Sequence, residues 1–71
     1  MTSAVRVVIG DITVTCNPEL PFLQRYTARH LGYVIRLRAS RGEVFRALVG
    51  ECGLSTTAAA RLLNRLDGGG R

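Results

Sequence analysis

The stretch Val5-Arg-Val-Val-Ile-Gly-Asp-Ile-Thr-Val-Thr-Cys16 decides the fold. Gly10-Asp11 is a two-residue turn signal set between two runs rich in β-branched residues. Folding the chain there sets Ile9 against Ile12, Val7 against Val14 and Val5 against Cys16. Side chains alternate along a strand, so these six share one face, and Arg6, Val8, Thr13 and Thr15 share the other. An isolated hairpin is marginal in water, so the rest of the chain must cover its apolar face.

The next segments supply that cover. Asn17-Pro18-Glu19 reads as a helix entry, with an asparagine cap, a first-turn proline and an acid at the positive end of the helix dipole. Leu20, Leu23, Thr27 and Leu31 then fall on one helical face, with Phe22 and Tyr26 beside them, and Gly32 is a stop. Tyr33 to Ala39 alternates: Tyr33, Ile35, Leu37 and Ala39 point one way, and Val34, Arg36 and Arg38 the other. That predicts a third strand joining the hairpin. The competing reading runs the helix through Gly32 to Ala39. Glycine costs a helix interior about 1 kcal/mol, which favours the strand.

Ser40-Arg-Gly-Glu43 is a capping box and opens a helix whose apolar face is Val44, Phe45, Leu48, Val49 and Cys52. Gly53 ends it, because glycine enters the left-handed conformation without strain. Leu54 plugs the turn and Ser55 caps a second helix. Ala59, Leu62, Leu63 and Leu66 form the buried stripe of that helix. Thr56, Thr57, Ala58, Arg61, Asn64 and Arg65 are left on its outer side. Asp67 and the three glycines after it stop the helix.

Residues 45–66 resemble the helix-turn-helix of DNA-binding proteins. Leu48 and Cys52 before the turn glycine, Leu54 and Ser55 after it, and Ala59 and Leu62 in the second helix match the pattern of that family. Val49 departs from it, standing where the family favours alanine or glycine. The resemblance implies that the second helix enters the major groove of duplex DNA.

Composition sets the bounds. Seventy-one residues, 46% of them hydrophobic, make one small domain with a packed core. The expected architecture is α+β in the order ββαβαα. A single domain spans residues 1–67, its helix-turn-helix-like part is 41–66, and residues 68–71 are a flexible tail. No apolar run approaches the ~20 residues of a membrane span, and no secretory signal is evident. The expected location is the cytoplasm, with Cys16 and Cys52 as free thiols.

The formal net charge is +5, and all ten basic residues besides His30 are arginine. One explanation for the absence of lysine is a GC-rich genome that favours arginine codons. The excess of positive charge favours an anionic partner. Two cysteines and one histidine make no metal-ligand pattern. The five acids stand singly, the serines have no adjacent base, and no glycine-rich phosphate loop precedes a lysine. Neither an enzyme nor a cofactor is expected.

The expected DNA contacts are Thr56 and Thr57 at the start of the second helix, where hydroxyls and backbone N–H groups reach phosphate. Arg61, Asn64 and Arg65 follow on its outer face, where arginine reads guanine and asparagine reads adenine. The central arginines Arg36, Arg38, Arg41 and Arg46 are expected to grip phosphate, each with a planar fork of donors. The expected function is thus duplex DNA binding by a compact regulator or accessory factor of the phage or mobile-element kind, acting as a homodimer. The alternative is a small module or inhibitor that grips an acidic protein through its arginines or hairpin edge. Single-stranded RNA binding is a weaker third, because Phe22, Tyr26, Tyr33 and Phe45 alone could stack on bases.

Overall fold

A computed structural model describes residues 4–67. The expected tail, 68–71, lies outside the described residues. Gly10 sits at φ +57° and turns the chain between β1 (Val5–Ile9) and β2 (Ile12–Cys16). The register is the one read from the sequence, with Val5 opposite Cys16, Val7 opposite Val14 and Ile9 opposite Ile12. Val7, Ile12, Val14 and Cys16 are buried. Val5 and Ile9 share their face but, at the two ends of the edge strand β1, remain 42% and 36% exposed.

The helix expected from Asn17 to Gly32 is replaced by a turn and a strand. The Asn17 side chain accepts from the Glu19 N–H at 3.0 Å, and the Leu20 N–H bonds the Asn17 carbonyl at 3.1 Å. Asparagine therefore closes a local side-chain turn here instead of capping a helix. A single 3-10 turn, Phe22–Gln24, follows, and then β3 (Tyr26–His30). Tertiary pairing overrides the helical pattern: β3 lies between β2 and β4 (Tyr33–Ala39), so its backbone is hydrogen-bonded on both sides. Leu23 and Leu31, expected on a buried helical face, are exposed.

Leu31 and Gly32 form the β3–β4 turn with φ of +55° and +85°. Positive φ at both central residues is the twist that suits a two-residue hairpin. The third expected strand, Tyr33–Ala39, is present, but its alternation is broken. β4 has seven residues against five in β3, and the two extra residues enter at two register shifts. Each bulge re-aims the side chains beyond it. Ala39 is buried and Ile35 packs against the core, whereas Tyr33 and Leu37 are exposed. Arg36, opposite Ala28, lies on the helix side of the sheet. Arg38, at φ +50°, donates its N–H to Thr27 Oγ1, on the other side.

The result is a four-stranded antiparallel meander in the order β1-β2-β3-β4, covered on one face by α1 (Arg41–Gly50) and α2 (Thr56–Leu66). The α+β class expected from the sequence holds. α1 lies over β3 and β4, and α2 over β1. Val44 and Leu48 of α1 meet Ala59, Leu62 and Leu63 of α2 in the core, all five fully buried. The capping box is complete: Ser40 Oγ accepts from the Glu43 N–H, and Glu43 Oε1 accepts from the Ser40 N–H. Val49 is only half-buried, and Ala47 is the small residue on the buried face of α1.

Candidate nucleic-acid interface

The turn between the helices is built as its residues require. Gly53 takes φ +75°. The Leu54 N–H reaches back 3.0 Å to the Leu48 carbonyl, an acceptor that the end of α1 leaves open, and the Cys52 N–H, at 3.2 Å, shares the Ala47 carbonyl with the Glu51 N–H. Ser55 Oγ accepts from the Ala58 N–H at 3.1 Å and starts α2. With Ala59, Leu62, Leu63 and Leu66 turned into the core, the helical period sets Thr56, Thr57, Arg61, Asn64 and Arg65 outward, and all five are exposed.

Arg61 and Arg65 stand one helical turn apart. Among the described residues, neither has a carboxylate within ion-pairing distance. Like charges at this spacing repel by a few tenths of a kcal/mol, and a bound anion would relieve that repulsion. Thr56 and Thr57 lie in the first turn, at the positive end of the helix dipole.

Asn64 has a partner within the fold. Its Oδ1 accepts from Arg41 Nη2 at 2.9 Å, while Arg41 Nε donates to Asp67 Oδ2 at 2.7 Å. The other Asp67 oxygen accepts from the Tyr26 hydroxyl. Arg41 thus ties the start of α1 to the end of α2, and Tyr26 ties that end to β3. Burial, and then the Asp67 carboxylate, push the Tyr26 phenol well above its ordinary pKa. Burial likewise raises the Cys16 and Cys52 thiols, which are unbonded to each other.

The remaining expected contacts scatter. Arg46 is exposed on α1. Arg36 donates to Glu51 Oε2 at 2.5 Å, at the carboxyl end of α1, where a cation also suits the helix dipole. Arg38 lies in a shallow groove on the helix-free side of the sheet, with Thr15, Thr27 and Arg29. The structure therefore gathers Thr56, Thr57, Arg61, Asn64 and Arg65 on one helix face, brings Arg41 to its end, and separates Arg36 and Arg38 from both it and each other.

Two exposed arginines stand outside the expected contacts. Arg29 falls in the segment expected to be a helix, within the arginine-rich middle of the chain, and Arg6 falls on the outer face of the hairpin. Once residues 26–30 are a strand, Thr27 and Arg29 align beside Thr15 and Thr13, with Arg6 opposite Thr15. The alternation in Tyr26-Thr-Ala-Arg-His30 was the available signal.

Among the described residues, no cluster of three or more His, Cys, Asp or Glu side chains could hold a metal ion, and no helix is long and apolar enough to cross a membrane. No protein-family model matches the chain, and no match was found among curated proteins or solved structures.

Proposed function

We propose that the protein binds double-stranded DNA through the outer face of α2, as a compact regulator or accessory factor. One observation carries this reading. The helix that follows the Gly53 turn exposes Arg61 and Arg65 one turn apart with no carboxylate paired to either among the described residues. The threonines of its first turn can meet phosphate, and the two guanidinium groups can meet phosphate or guanine edges. Arg41 and Asp67 fix the far end of the helix, which limits the ordering cost of binding. A homodimer would present two such helices to two half-sites.

A second reading, capture of an acidic protein, draws on β1, an edge strand with exposed Val5 and Val8. Titration of mixed-sequence duplex across a salt series separates the two. Arg61→Ala and Arg65→Ala should leave the fold intact and weaken binding. The cost is about 1–3 kcal/mol for a base-reading arginine, or a drop of about 1 in the salt slope for a phosphate contact. A folded double variant that binds duplex as the wild type does would overturn the α2 reading.

A further inference from the structure

The helix-free face of the sheet has a chemistry of its own. The four strands contain 22 residues, five each in β1, β2 and β3 and seven in β4, and none is Asp or Glu. Four are arginines. Arg36 lies on the helix side and is neutralised by Glu51. Arg6, Arg29 and Arg38 are exposed on the open side, and among the described residues none has a carboxylate partner. Two shallow grooves run across this face, one lined by Arg6, Thr13, Thr15 and Arg29, the other by Thr15, Thr27, Arg29 and Arg38.

We propose that this open face is a second polyanion-binding surface, which takes the phosphate backbone of duplex DNA on Arg6, Arg29 and Arg38. Arg6 and Arg38 lie on opposite edge strands, three strand spacings or about 14 Å apart. That is comparable to the ~12 Å width of the major groove, so their long side chains can reach phosphates on either side of it. Three threonine hydroxyls between them add donors for phosphate oxygens.

Arg38 adds a second line of argument. It occupies a left-handed backbone position that glycine or asparagine takes more readily, and the bulge there directs it to this face.

Other occupants fit less well. Among the described residues no aromatic side chain lies on the open face: Tyr26 is in the core, Tyr33, opposite His30, belongs to the helix side, Phe22 lies beside Cys16, Tyr26 and Leu66, and Phe45 is on α1. A single-stranded partner would lack the stacking platform such sites use. The exposed aliphatic residues, Val8, Val34 and Leu37, sit on the two edge strands instead of forming one central patch, as a protein interface would require.

This face and the outer face of α2 lie on opposite sides of the domain, so a straight duplex meets only one of them, and each can be tested without the other. The sheet variant is Arg6→Gln, Arg29→Gln, Arg38→Asn, and the helix variant is Arg61→Ala, Arg65→Ala. All five positions are exposed, and thermal melts check that both proteins fold. Binding to a mixed-sequence duplex is measured from low to physiological salt. The sheet variant should lose about 3 from the slope of log K against log salt and bind roughly tenfold or more weaker at low salt.

If the sheet variant weakens, this proposal stands; the α2 reading stands with it if the helix variant weakens too, and fails if the helix variant does not. If the helix variant alone weakens, this proposal is overturned and the α2 reading stands. The duplex assignment is also overturned if single-stranded DNA of the same length, or polyglutamate, binds the wild type more tightly than duplex and loses that binding in the sheet variant.

Discussion

Gly53 and Gly50 form a matched pair. A Cβ added at either would meet nothing within 4 Å. Packing is therefore neutral at both, and the backbone alone sets the effect of adding a methyl group. Gly53 holds φ +75°, where an L side chain crowds its own carbonyl at a cost of about 1–2 kcal/mol. Gly50 is the last residue of α1, where alanine is favoured over glycine by about 0.5–1 kcal/mol, toward the lower figure at a helix end. A domain of this size shifts its melting temperature by about 4–8 °C per kcal/mol. Gly53→Ala should then melt roughly 5–15 °C below the wild type, and Gly53→Val at least as low. Gly50→Ala should melt a few degrees above it. Urea unfolding should agree, each kcal/mol moving the midpoint by about 1 M or less at an unchanged slope. Equal melting temperatures for Gly53→Ala and wild type would refute the left-handed stop, and with it the division of the two helices at that residue.

Neighbouring hairpin residues should respond in opposite ways. Val7→Asp buries an unpaired carboxylate on the core face and should unfold the protein, while Val8→Asp, 57% exposed, should leave a cooperative melt. Leu31→Asn should raise the melting temperature by several degrees, since Leu31 is 62% exposed and asparagine accepts its φ of +55° more readily. Leu63→Ala, at a fully buried position, should cost about 2–5 kcal/mol, much of the stability of so small a domain, as read by circular dichroism. The folded protein holds the Tyr26 proton to higher pH than the unfolded chain does. Stability should therefore be steady below about pH 9 and fall as pH rises through 10, with Cys16 adding to the early part of the fall. Urea midpoints should show a weaker alkaline fall in Tyr26→Phe.

The legible parts of this fold were those governed by contacts close in sequence. The β1–β2 register follows from two turn residues and strict alternation, and the Ser40 and Ser55 caps act within three residues of themselves. The segment 17–32 was not legible, because its outcome depends on a partner on each side. Asn17 can cap a helix or close a turn with the same side-chain oxygen, and the unpaired edge of β2 tips the balance by offering β3 a ladder. The bulges in β4 were hidden for a similar reason, since alternation assumes equal strand lengths and here seven residues pair with five. Of the expected contacts, the outer face of α2 could be read from helical period alone. The separation of Arg36 from Arg38 required the bulge, and the engagement of Asn64 by Arg41 required knowing which helix ends meet.

The placement of α2 over β1 has a consequence for the order in which the molecule can assemble. Each strand of the meander pairs with its neighbour in the chain, so the sheet closes through short loops at small entropic cost. Its apolar face gains no lasting cover over β1 until the last helix arrives, and Tyr26 meets Asp67 across 41 residues. During synthesis the hairpins can form early, but they cannot become cooperative until Leu66 has emerged. A nascent chain stopped at Ser55 should remain protease-sensitive, and one extended far enough to free Asp67 should become resistant in a single step.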